Sequence, residues 1–161
     1  MLKKLVVIVC ILFATGCVSV EKKIEDISLE FGNKLHEYSF SNPKWQNQLE
    51  LNVPSMNLSE MKNKSEIYSE YLEKMENAFE DLADENGLEQ IKEYLLKSRI
   101  HAEKDEVKFV ELNEYDHSYN SVIEMTGSHY KLRCDISFMK NGSKPLIGGF
   151  KISVIEFENP E

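Results

Sequence analysis

HYKLRCDISFM, residues His129 to Met139, alternates without a slip. Tyr130, Leu132, Cys134, Ile136 and Phe138 share one parity, and Lys131, Arg133, Asp135 and Ser137 share the other. A period of two sustained over this length is the signature of a β-strand with one apolar and one wet face. A helix would scatter the same apolar residues around its axis. Asn141-Gly142 follows, the pair that two-residue hairpin turns favour. Leu146 to Phe157 then resumes the alternation, with Phe150, Ile152 and Val154 on one face. Gly148-Gly149 near its start marks a bulge or bend.

Upstream the same period continues. Val107 to Leu112 and Tyr119 to Thr126 read as strands, separated by the polar break Asn113 to Ser118 and followed by the turn Gly127-Ser128. Before Asp105 the spacing changes to three and four. Ile67, Tyr71, Met75, Phe79 and Leu82 form one stripe of a helix, opened by a capping box of Asn63 and Glu66. Asn86-Gly87 reads as its stop, because glycine accepts the left-handed conformation after a helix. Leu88, Ile91, Leu95 and Ile100 imply a second helix running to about Ala102. Nearer the start, Ile24, Ile27, Phe31 and Leu35 predict a helix from Glu21 to His36, with Gly32 as its weak point. Leu49, Leu51 and Val53 suggest a short strand ended by Pro54.

Helices followed by strands imply an α+β fold: N-terminal helices packed on one face of a C-terminal antiparallel sheet of about four strands. This layout, over Ser59 to Phe157, resembles the cystatin-like and NTF2-like α+β domains. That superfamily includes pocketed enzymes, ligand binders and assembly modules, so the resemblance implies a fold without selecting a function.

The N-terminus carries a different message. Met1-Leu2-Lys3-Lys4 is a basic head, Leu5 to Phe13 is an unbroken apolar run, and Ala14-Thr15-Gly16 narrows to small side chains before Cys17. Nine helical residues rise only about 14 Å, too little to cross a bilayer, so the pattern is that of a secretory signal. Ala14-Thr15-Gly16-Cys17 resembles the lipobox of bacterial lipoproteins, although that family usually has Leu where Ala14 stands. The resemblance implies cleavage between Gly16 and Cys17 and lipid on Cys17. It also implies palmitate among the acyl chains, and an anchor on the exported side of a bacterial membrane. Val18 stands where an inner-membrane retention signal would have Asp, which points to the outer membrane if the organism has one. The expected organisation is a signal peptide over 1–16, a lipidated Cys17 with a short tether to residue 23, and a single α+β domain over 24–161.

Charge and cysteine content narrow the function. The chain has 19 Lys and Arg against 28 Asp and Glu, a net charge of −9. Loss of Lys3 and Lys4 with the signal leaves about −11, which disfavours nucleic acid and other polyanions while allowing a basic protein partner. Once Cys10 has left and Cys17 is lipidated, Cys134 stands alone, so the domain forms no internal disulfide and depends on packing.

Catalytic signals are weak throughout. Cys134 lies between Leu132 and Ile136 on the apolar face, whereas His129 and Arg133 have the opposite parity, so it reads as a core residue and not a nucleophile. Asp116-His117-Ser118 has the residue types of a hydrolytic triad but no flanking elbow glycines. Leu82 to Glu93 partly mimics a calcium loop through Asp84, Asn86, Gly87 and Glu93, yet Leu82 occupies the first ligand position. His36-Glu37 lacks a second histidine at Phe40, and His101, His117 and His129 show no ligand spacing. Gly148-Gly149 has neither the lysine nor the helix of a phosphate loop. Glu80-Asp81 with Asp84-Glu85 forms an acidic patch, read as a solvated face or as a docking surface for a basic partner. No catalytic, cofactor or metal residues are therefore assigned.

The expected function is a membrane-tethered, non-enzymatic binding or assembly module of the envelope. Two alternatives stand beside it: an acidic inhibitor or immunity-type protein directed at a basic envelope enzyme or toxin, and an NTF2-like small-molecule binder or enzyme.

Overall fold

The alternation of His129 to Met139 becomes the third strand of a four-stranded antiparallel meander. The computed structural model describes residues 18–39, 65–97, 106–140 and 144–157. In order these form α1 (Val20–Tyr38), α2 (Ser65–Phe79), α3 (Glu85–Lys97), β1 (Glu106–Glu114), β2 (Ser118–Thr126), β3 (Tyr130–Met139) and β4 (Ile147–Phe157). The sheet order is β1-β2-β3-β4 with every pair antiparallel. The α+β architecture stands as expected, with three helices covering one side of the sheet. The strand expected at Leu49 to Val53, the cap Asn63, the helix end near Ala102 and the Asn141-Gly142 turn lie outside the described residues.

Burial follows parity. Leu132, Cys134, Ile136 and Phe138 of β3 are buried, as are Ile123 and Met125 of β2. From the helices, Ile24, Phe31, Leu35, Met75, Phe79, Ile91 and Leu95 close over them. A run of edge-on aromatic contacts joins the layers. Tyr38 meets Phe79 at 5.9 Å between ring centroids, Phe79 meets Phe31 at 6.1 Å, Phe31 meets Phe150 at 5.1 Å and Phe150 meets Tyr94 at 5.6 Å. Edge-to-face pairs of this kind add about 0.5–1.5 kcal/mol each beyond the area that they bury.

Helix α1 starts at a defined cap. The Lys22 N–H donates to Ser19 Oγ at 3.2 Å, satisfying one of the amides that a helix start leaves unpaired. Inside the helix, Ser28 is buried. Its Oγ lies 2.7 Å from the Ile24 carbonyl and 2.7 Å from Ser121 Oγ in β2. Because Ser28 has one proton and gives it to Ile24, Ser121 donates to Ser28. One turn on, Gly32 touches the sheet: a Cβ there would fall 2.6 Å from Val107 Cγ1 and 2.8 Å from Ile123 Cδ1. The glycine that reads as a weak point is the place where helix and sheet come closest.

Asn86-Gly87 does not end α2. The helix stops at Phe79, a turn covers residues 80–82, and Asn86-Gly87 falls in the first turn of α3. Asp84 is the reason. Its Oδ1 accepts the Gly87 N–H at 2.8 Å, which caps a new helix there. Gly87 is demanded by packing, since a Cβ would lie 2.1 Å from the Ile147 carbonyl oxygen. The α2–α3 corner is thus clamped to the start of β4: Ile147 N–H donates to the Leu82 carbonyl at 2.9 Å and Asp84 N–H to the Ile147 carbonyl at 3.0 Å.

Three shifts of register shape the sheet. One lies at Phe109/Glu111, leaving Val110 unpaired on β1. The others fall on β4, at Gly148 as the glycine pair implies, and at Ile155 between Val154 and Glu156. Val154 shares a face with Phe150 and Ile152, but the helices leave it 55% exposed.

Candidate functional site: an acidic groove between α2 and α3

Among the described residues a concavity lies between α2 and α3. Glu76 and Glu80 come from the end of α2 and the turn after it, and Glu85, Leu88, Glu89 and Lys92 come from α3. They enclose a groove of about 390 Å³. Four carboxylates face a single ammonium, Lys92, whose Nζ lies 3.5 Å from Glu76 Oε1. Helical spacing produces this lining. Glu76 and Glu80 are four residues apart, as are Glu85 and Glu89, so each pair projects from one side of its helix. Leu88 supplies an apolar floor. The chemistry favours a cationic side chain with an aliphatic stem, such as Lys or Arg of another protein.

The acidic patch divides between two jobs. Glu80 and Glu85 line the groove. Asp81 turns to Lys144 at 3.2 Å and Asp84 serves as the α3 cap. Glu76 and Glu89 join the groove although the sequence pattern does not single them out, because their meeting depends on how α2 and α3 pack. The residues of the calcium-loop mimic are likewise committed elsewhere: Asp84 caps α3, Asn86 donates to the Gly148 carbonyl, and Glu93 pairs with Lys97. Among the described residues no group of three or more His, Cys, Asp or Glu is placed to hold a metal ion.

Cys134 is fully buried in β3 between Leu132 and Ile136. Burial pushes its thiol well above the ordinary range, and the neighbouring Asp135 charge pushes it further. A thiol held neutral in this way is a poor nucleophile. Arg133 points to the other side of the sheet, where its Nη2 lies 3.1 Å from both Glu111 Oε1 and Asp135 Oδ1. Those two carboxylates flank the buried Val122 in register, so the ion pairs form a polar cover over an apolar residue. Asp116, His117 and Ser118 make the β1–β2 turn, where Tyr115 N–H donates to the Ser118 carbonyl and Lys140 N–H to the His117 carbonyl. A smaller hollow of about 210 Å³ lies at the β2–β3 turn around Gly127, His129 and Tyr130. The apolar stripe from Leu132 to Phe138 is packed into one core cluster with residues of all three helices.

Gly16 and Cys17 lie outside the described residues. No helix among the described residues is long and apolar enough to cross a membrane. No family model, no curated protein and no solved structure matches this chain.

Proposed function

We propose that this protein is a lipid-anchored bacterial envelope protein, held to the membrane through Cys17, whose domain serves as a non-enzymatic binding or assembly module. The observation that supports this reading is the start of α1: its cap, Ser19, comes two residues after the candidate lipid site. An anchor joined so directly to a folded body suits a protein that works at the bilayer surface. Lipid on Cys17 accounts for retention, since about 0.8 kcal/mol per buried CH₂ makes two or more acyl chains an effectively permanent anchor. The likeness to cystatin-like and NTF2-like domains remains one of layout, and the filled stripe on β3 favours a binding surface over an internal pocket.

Cys17→Ser followed by cell fractionation tests the anchor. The parent is expected with membranes and the variant in the soluble exported fraction; a variant that still sediments like the parent overturns the reading.

A second reading, an acidic inhibitor or immunity-type protein, draws on the α2–α3 groove. Its test is pull-down from envelope extract with the full chain against a Glu80→Lys, Glu85→Lys, Glu89→Lys variant. A basic protein should be captured by the parent, lost with the variant, and released as salt rises. Capture that is indifferent to both charge reversal and salt removes this reading.

A further inference from the structure

The two edges of the sheet are built differently. On β1 the outer strand alternates charged residues, Glu106, Lys108, Glu111 and Glu114, and carries a bulge at Val110. Such features discourage edge pairing. On β4 the first half of the edge is occupied: the corner after α2 bonds Ile147, Asn86 bonds the Gly148 carbonyl, and Phe150 N–H donates to Gln90 Oε1 at 3.3 Å. The second half, from Lys151 onward, pairs with no strand but β3 among the described residues. It carries Val154, Ile155 and Phe157 at 55%, 45% and 61% exposure, three of the eight large apolar residues so exposed among the described residues.

The open half is also self-complementary. The outward Phe150 N–H shows that even-numbered residues up to Val154 turn their backbone groups away from β3. A second β4 laid antiparallel about a two-fold axis at Ser153 would pair Ile152 with Val154 of the other copy, and the reverse, through about four main-chain hydrogen bonds. The bulge then decides the rest. Ile155 is the unpaired residue, so Glu156 returns to the polar face that Lys151 occupies. In this register Lys151 stands opposite Glu156 of the second copy, twice by symmetry, and Phe150 meets Phe157 on the helix side. Within one copy neither Lys151 nor Glu156 has an ion-pair partner among the described residues. Lys131, across from Glu156 in β3, is taken by Glu124 at 3.0 Å.

We propose that the protein forms a homodimer through the outer edge of β4, residues Lys151 to Glu156, paired antiparallel about Ser153. Gln90 closes the ladder at Phe150 and so sets the length of the contact. The axis runs perpendicular to the sheet, which keeps the helices of both copies on one side. This pairing extends the assembly reading of the function but does not depend on lipid at Cys17, so the two stand or fall separately.

The test uses the full chain carrying Ser153→Cys, oxidised mildly and run on a non-reducing gel. At the axis the two residue-153 Cα atoms lie about 4.5 Å apart, within the range a disulfide spans. Ser137→Cys, on the same face but one strand inward, is the control. Ser153→Cys should cross-link to a dimer and Ser137→Cys should stay near background. In the Ser153→Cys background, Lys151→Glu alone and Glu156→Lys alone should each lower the dimer about tenfold, since each places like charges opposite one another at two symmetric sites. The two together should restore it. Cross-linking no stronger than the Ser137→Cys control, or a double reversal as weak as either single one, overturns the proposal.

Discussion

Gly87 and Gly32 both sit in helices, where glycine costs about 1 kcal/mol relative to alanine, yet neither is free to change. At Gly87 the obstacle is a backbone carbonyl, that of Ile147, which has no rotamer to escape into. At Gly32 the obstacles are the side-chain ends of Val107 and Ile123. Gly87→Ala should therefore cost about 3 kcal/mol, and Gly32→Ala about 1 kcal/mol after the helix gain is set against the crowding. Urea unfolding of the two variants checks the order: Gly32→Ala less stable than Gly87→Ala would contradict it. Ser28 makes a second case. Ser28→Ala leaves the Ser121 hydroxyl buried without its acceptor, at about 1–3 kcal/mol. Adding Ser121→Ala should recover about 1 kcal/mol of that, because removing both partners is gentler than removing one; the double-mutant cycle reads this coupling directly. None of these roles was legible in the sequence. Ser28 interrupts the apolar stripe of α1, and its use appears only when Ser121, 93 positions later, comes beneath it.

Among the elements, the strands were the most legible and the helix junction the least. From His129 to Met139 the alternation runs long enough that only one register buries Leu132, Cys134, Ile136 and Phe138, and a slip by one residue would expose all four. For the four strands of the sheet the expected limits accordingly lie within two residues of those observed. The α2–α3 junction failed because Asn86-Gly87 has the local chemistry of a helix stop, while its actual use, close approach to Ile147, is a tertiary fact. Asp84, which does organise the junction, looks in sequence like one more member of an acidic run. Asp84→Ala should remove the α3 cap and cost about 1 kcal/mol, with Asp84→Asn largely retaining it. Chemical denaturation of both variants distinguishes a capping role from one of charge alone, which Asn would not preserve.

At the scale of the molecule, the sequence disclosed an architecture but little of the surface. The groove needs Glu76 and Glu80 to meet Glu85 and Glu89, a relation set by how two helices pack and not by spacing within either. The β4 edge was hidden for a related reason. Val154 has the parity of a core residue, and its exposure follows from where the helices stop. The whole is also tightly interdependent. Removing residues 146–161 deletes Ile147, to which the α2–α3 corner is clamped, and Phe150, which joins Phe31 to Tyr94. That truncation should abolish folding altogether and not merely trim it, with loss of near-ultraviolet dichroism and rapid proteolysis as the readout; a protease-resistant remainder would contradict the expectation.

The clamp between Asn86 and Gly148 joins points 62 positions apart, and it holds α3 to β4 while α1 rests on β1 and β2 through Gly32 and the Ser28–Ser121 pair. The helices are thus fastened to opposite ends of the strand order, and neither fastening can form before the sheet brings distant parts of the chain together. Folding governed by such remote meetings is slow compared with that of a bundle held by neighbours in sequence.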